Sequence, residues 1–249
     1  MKPRRGRQWG ESVKIPPLPL DYPIGLDRPI STTERTFLVL RRAILTGLLP
    51  PNSWLRLDDI SEQLEISRTP VREACRLLSQ DGLVKMVPNY GVMVSPLSIE
   101  DFEEIYAVRI GIEGLAIRRT VRRTSIEEME QCRELYMQLE PIARSGELEE
   151  YLQQEWLFRL HLYRIGSSQR FLHMIQNFRE QSERYLRFAY TFQEAINDSY
   201  VMHKDILRAC EKRDIDHAEH LVQQALRWTL KMAGPAIASN LEEQENGDS

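Results

Sequence analysis

Ser67 to Val94 reads SRTPVREACRLLSQDGLVKMVPNYGVMV, a short helix followed by two strand-like runs. Val71, Ala74, Cys75 and Leu78 fall at i, i+3, i+4 and i+7, which gives the helix one apolar stripe to bury. Arg68, Arg72 and Arg76 recur every four residues on another face, so three guanidinium groups point outward. Ser67 or Thr69 is suited to cap the helix, Pro70 is tolerated in its first turn, and Gly82 supplies a stop. Beyond it, Leu83 to Val87 and Gly91 to Val94 flank Pro88-Asn89-Tyr90-Gly91, turn chemistry between two strands. A helix with a hairpin beside it is the outline of a winged helix.

Working outward, Phe37, Leu40 and Ile44 set a first amphipathic helix from Thr32 or Thr33, closed by Gly47 and Pro50-Pro51. Ile60 and Leu64 mark a short second helix. Three helices and a hairpin make a winged helix-turn-helix over residues 31–97, in which one helix crosses a DNA backbone and the next enters the major groove. After Pro96-Leu97, Ser98 with Asp101 opens an uninterrupted series of helical patterns at about 99–120, 126–144, 147–166, 169–192, 195–212 and 215–232. No strand pattern recurs, so residues 98–234 are expected to form an all-helical bundle, and the fold class is mainly α. Residues 1–30 hold Lys2, Arg4, Arg5 and Arg7 and then a proline-punctuated run, and they read as a disordered basic leader. Residues 235–249 read as an acidic tail, frayed over Leu241 to Ser249.

Charge is distributed unevenly along the 249 residues: the net −4 divides into +3 for residues 1–30, +1 for 31–97 and −8 for 98–249. An acidic C-terminal part does not meet phosphate, which leaves any DNA contact to local clusters in the first part. No apolar run reaches the ~18 residues of a membrane span, and no secretory h-region is visible, so a cytoplasmic protein without a membrane partner is expected. Cys75, Cys132 and Cys210 are odd in number and sit among apolar neighbours, the pattern of buried thiols in a reducing compartment.

Several charged residues stand on apolar stripes of the second part. Arg109 lies four residues after Ile105 and three before Ile112, Glu155 and Arg159 occupy the middle of a stripe set by Leu148, Leu152 and Leu162, and His203 falls between Tyr200 and Ile206. Buried charge is costly unless paired, so their convergence implies either an internal ion-pair network or a polar ligand cavity.

The run SRTPVREA, followed by LLSQDGL and a wing with Gly91, resembles the GntR family of bacterial transcription regulators, and the helical remainder resembles its FadR-type branch with an FCD domain. The resemblance implies a homodimeric regulator, more often a repressor, that binds a pseudo-palindromic operator in double-stranded DNA through Arg68, Thr69, Arg72, Arg76 and the wing at Gly91. Where the family carries a Glu-Arg pair at the start of the second helix, this sequence has Leu57-Asp58, with Arg56 as a candidate substitute. The family's turn glycine is Glu65 here. The resemblance also implies a divalent metal held by an Asp and a His four residues apart and two further histidines. The corresponding positions are Glu155, Arg159, His203 and Ala225, so no metal and no cofactor is expected. Arg159, with Arg109 as second partner, is expected instead to meet an anionic effector such as a small organic acid, beside Glu155 and His203. One competing expectation keeps the DNA binding and makes the second domain a dimeriser without a ligand. An enzyme using Glu155 and His203 as an acid/base pair has no nucleophile elbow, phosphate loop or complete metal site to accompany it and is not expected.

Overall fold

The computed structural model describes residues 16–18, 30–88, 90–190 and 193–247. The chain divides into two units at Pro96/Leu97. In the first, α1 (Thr32–Leu45) starts at Ser31, whose hydroxyl accepts from the Glu34 N–H at 3.1 Å. Its buried Leu40, Ala43 and Ile44 form a core with Val71, Cys75 and Leu78 of α3 (Arg68–Gln80). Between them, α2 (Leu57–Gln63) buries only Ile60. The α2–α3 turn passes through Glu65 at φ +53°, a left-handed conformation that a side chain makes costly. The conformation that the resemblance assigns to a glycine is thus kept without one.

The wing is β2 (Val84–Val87) and β3 (Gly91–Val94), antiparallel, with Val84 opposite Val94 and Val87 opposite Gly91. The sheet has a third strand that the sequence does not announce: β1, only Trp54–Leu55, pairs with β3 in the order β1-β3-β2. Two residues are too few to display a period of two. At Gly91 the backbone takes φ +120°, open to glycine and strained for other residues.

The leader expectation is corrected at one point. Leu18 is buried in the first unit's core, and its N–H donates to Gln63 Oε1 at 3.2 Å. An isolated leucine among prolines carries no periodic signal, yet burial of one aliphatic side chain is enough to hold a short segment. Residues 1–15 and 19–29, on which the rest of that expectation falls, lie outside the described residues.

The second unit is helical throughout its described residues: α4 (Ile99–Arg123), α5 (Ile126–Ser145), α6 (Leu148–Gly166), α7 (Gln169–Gln181), α8 (Glu183–Ala189), α9 (Gln193–Glu211) and α10 (Ile215–Gly247). Ser98 caps α4, and Ser125 with Glu128 forms a reciprocal capping box on α5. Helix α4 is central and packs mainly against α10 and α6. Its Phe102, Tyr106 and Ile117 share a core with Leu139 of α5, Phe158 and Tyr163 of α6 and Ile175 of α7.

Two expectations fail here. The single helix over 169–192 breaks at Ser182, whose hydroxyl donates to the Arg179 carbonyl at 2.7 Å and accepts from Arg109 Nη1 at 2.9 Å. A serine that bonds its own backbone competes with the helical ladder. The tail is also helical: α10 runs through Pro235 to Gly247 because Ala233 and Ile237 are fully buried, and their packing outweighs the hydrogen bond that proline removes.

Candidate nucleic-acid interface and buried polar centre

In the first unit, Arg68, Thr69, Arg72 and Arg76 are exposed along α3, and Gly91 is exposed at the start of β3. Arg68, Arg72 and Gly91 come together with Trp54, Arg56, Asp58 and Tyr90 around an open groove of about 640 Å³. Arg76 and Thr69 do not line it. The groove therefore joins the recognition helix to the wing, with Arg56, the N-cap residue of α2, on its edge. Arg68 forms an ion pair through Nε with Asp58 Oδ1, both side chains well exposed at 65% and 60%. Three arginines and two aspartates, Asp58 and Asp59, line the groove, so its positive excess is small.

In the second unit, the four residues singled out on apolar stripes meet in one chain of contacts, with Arg109, Glu155 and His203 buried and Arg159 partly so. His203 Nε2 lies 2.9 Å from Glu155 Oε1, off the hydrogen-bonding line, and Glu155 Oε1 accepts from Arg159 Nη1 at 3.0 Å. Arg159 Nη2 pairs with Glu113 Oε2, and Glu113 Oε1 accepts from Arg109 Nε at 2.7 Å. The Tyr163 hydroxyl donates to Glu113 at 2.9 Å, and the Arg109 guanidinium lies over the Tyr106 ring at 4.7 Å. His203 Nδ1 stands 2.7 Å from the Ser199 carbonyl, which only accepts, so that ring nitrogen carries a proton.

The electrostatics follow from this packing. Burial alone would raise the Glu155 carboxyl, but Arg159 and His203 more than offset it and hold it well below the usual carboxylate range. Glu113 is likewise lowered against its burial, by Arg109 and Arg159. Burial lowers Arg179, which is opposed by Glu155 and lies over the Trp156 ring at 5.4 Å. Arg109, Arg159 and Arg179 thus face Glu113 and Glu155, and Glu183 adds a third opposing carboxylate near Arg179. The Tyr106 hydroxyl has no hydrogen-bond partner among the described residues, and the Tyr151 hydroxyl makes no well-formed bond. Burial raises the three thiols Cys75, Cys132 and Cys210 to about 12, far from reactive thiolates.

The expectation that Arg159 is free to grip an effector needs revision, because Glu113, Glu155 and Tyr163 already take its donors. Glu113 was overlooked, although it lies four residues after Arg109 and three before Ala116 on the same stripe. Ser182 and Arg179 gave less warning, since the apolar pattern continues through them. A divalent metal does not fit these residues. The positions that resemblance casts as ligands offer one carboxylate and one imidazole already facing each other, with a guanidinium beside them and the buried Ala225 contributing no donor. Among the described residues no group of three His, Cys, Asp or Glu side chains is placed to hold one.

The profile of the FCD domain matches residues 104–227, and that of the bacterial regulatory proteins of the gntR family matches residues 32–94. The chain is 45% identical over 80 residues to an uncharacterized HTH-type transcriptional regulator from the TAR-I ttuE-ttuC′ intergenic region of Agrobacterium vitis, covering 32% of this chain and 47% of that protein. It is 26% identical over 194 residues to the HTH-type transcriptional repressor RspR of Escherichia coli, over 78% of this chain and 85% of RspR. The chain therefore spans about half the length of the Agrobacterium vitis relative and most of RspR. The solved structure of E. coli McbR/YncC superposes with a TM-score of 0.70 at 21% identity, over 82% of this chain and 98% of that one, a likeness of fold. No described helix is long and apolar enough to cross a membrane. With a winged helix matched to one profile and a helical bundle matched to the other, the chain belongs to the GntR family of bacterial regulatory proteins and carries an FCD domain.

Proposed function

We propose that the protein is a DNA-binding transcription regulator, a repressor, that sits as a homodimer on a pseudo-palindromic operator and responds to a small anionic effector held in its helical domain. The observation that carries the DNA-binding part is the exposed arginine face of α3 beside the wing, with Arg68, Arg72 and Gly91 around one groove. Arg72 meets a base edge, Thr69 and Arg76 meet phosphates, and the open backbone at Gly91 lets the wing approach the minor groove. One such unit covers a half-site, and a two-fold pair of chains covers a palindrome. On α4, Val108 and Leu115 are exposed seven residues apart with Gly111 between them, a face suited to a second copy.

The effector reading is supported by the cluster of Arg109, Arg159 and Arg179 at the polar centre and by the Tyr106 hydroxyl, which has no partner among the described residues. A carboxylate there meets the guanidinium cluster and accepts from the hydroxyl. No divalent ion is called for there, because the Arg159 guanidinium supplies positive charge at the position where the resemblance implies a metal ligand. The engaged donors of Arg109 and Arg159 favour a second reading, in which the centre is a permanent structural network and the domain only dimerises.

The test is selection of duplexes from a randomised pool, followed by titration of the selected duplex. Enrichment of a two-fold motif is expected. Arg72→Ala is expected to weaken binding by about 1–3 kcal/mol and to relax one position of each half-site. A panel of small carboxylates then separates the two readings: one that shifts both operator affinity and melting temperature supports the sensor. No shift with any member supports the dimeriser.

A further inference from the structure

Asp58 is an acidic residue on a groove that the reading above assigns to a polyanion. We infer that Asp58 is a specificity-determining residue that positions Arg68, converting it from a general phosphate contact into a reader of a guanine edge. The inference rests on the DNA-binding reading above and names what one part of that groove recognises.

An unpaired arginine beside DNA donates to any nearby oxygen, and phosphate oxygens are the most abundant and most charged. Asp58 changes this in two ways. It cancels the charge of Arg68, so the pair as a whole gains little from the phosphate field. It also engages the guanidinium through Nε, whose single N–H it takes, and the donors of the two Nη groups serve another partner. Those two donors match the spacing of the O6 and N7 acceptors on guanine in the major groove. The fork, moreover, is held in one orientation before DNA arrives, which lowers the ordering cost of binding.

A structural role explains the pair less well. Both side chains are more than half exposed, and ion pairs in solvent contribute little to a fold. Asp59 keeps an acidic residue in the first turn of α2 when Asp58 is changed, so the start of the helix does not depend on it. The arrangement instead places a neutral, oriented pair beside Arg72, Tyr90 and Gly91 on the groove.

The experiment uses the full chain as wild type, Asp58→Asn, Arg68→Ala and the double variant, with melting curves to show that each is folded. Each protein is titrated against the duplex selected by the wild type, the same duplex with single guanines replaced, and a random duplex of equal length. Asp58→Asn should lose about ten-fold in discrimination at one guanine of each half-site. Its binding to random duplex should tighten, with a salt dependence steeper by about one unit per chain as Arg68 turns to a phosphate. Arg68→Ala should lose the same guanine preference, and adding Asp58→Asn to it should alter that preference no further. Unchanged discrimination and salt slope in Asp58→Asn overturn the inference, as does a uniform loss on all three duplexes. If the wild type selects no motif, the DNA-binding reading itself falls and takes this inference with it.

Discussion

Glu113 is fully buried, and it is the residue on which the charged centre of the bundle turns. Its two oxygens serve Arg109, Arg159 and the Tyr163 hydroxyl. Replacing one partner of a buried ion pair leaves the other charges uncompensated, so Glu113→Gln is expected to cost about 3–5 kcal/mol, read as a lower denaturation midpoint at unchanged slope. The loss should exceed that of an exposed pair such as Arg144–Glu140, for which Glu140→Gln should cost no more than about 0.5 kcal/mol. Comparable midpoints for the two variants would show that water reaches the centre and relieves it. Glu113 was legible in the sequence by the reasoning that found Arg109, since both lie on one stripe of α4. What the pattern did not reveal is which partner each charge takes, because spacing along a helix fixes a face and not a contact across the bundle.

Helices α4 and α6 meet at Gly166 with no room for a side chain. A Cβ there would come within 2.4 Å of the Thr120 backbone N. The approach is held by Arg119 Nε donating to the Gly166 carbonyl at 2.7 Å and by the Thr120 hydroxyl donating to the Leu162 carbonyl at 2.6 Å. Gly166→Ala is therefore expected to push the two helices apart and to destabilise by about 1–3 kcal/mol despite alanine's better helix propensity, checked by thermal melts. At the other end of the chain, Leu18 fills a place in the winged-helix core. Leu18→Ala should cost about 2 kcal/mol or more, and deletion of residues 1–30 should cost at least as much. An unchanged melt after deletion would mean that the segment is not seated in solution. The elements themselves were read from the sequence unevenly. The wing and α3 were visible because turn residues and a clean apolar period agree. The strand β1, the break at Ser182 and the extension of α10 past Pro235 were not, since each is decided by tertiary contacts that local pattern does not encode.

For the molecule as a whole, the lowered carboxyls of Glu113 and Glu155 tie stability to acid. Their ordinary value is 4.5, and both are held lower in the folded protein. Above about that pH both are ionised in folded and unfolded chains alike, and their contribution is complete. As the pH falls below it, the unfolded chain takes up protons that the folded one refuses, so stability declines until the folded carboxyls titrate in turn. Denaturation at pH 7, 5, 4 and 3 should show little change between the first two and a steep loss after, and Glu113→Gln should flatten that loss. An equally steep decline in the variant would assign the acid sensitivity to other groups. A final consequence concerns inheritance. Along the chain from His203 through Glu155, Arg159 and Glu113 to Arg109, each charge is set directly against its neighbour. A lineage cannot trade these residues singly without passing through an ancestor with a stranded charge in its core. Descendants are expected to keep the set or to exchange adjacent members together, so that a neutral residue at the position of Arg159 travels with a neutral residue at that of Glu113.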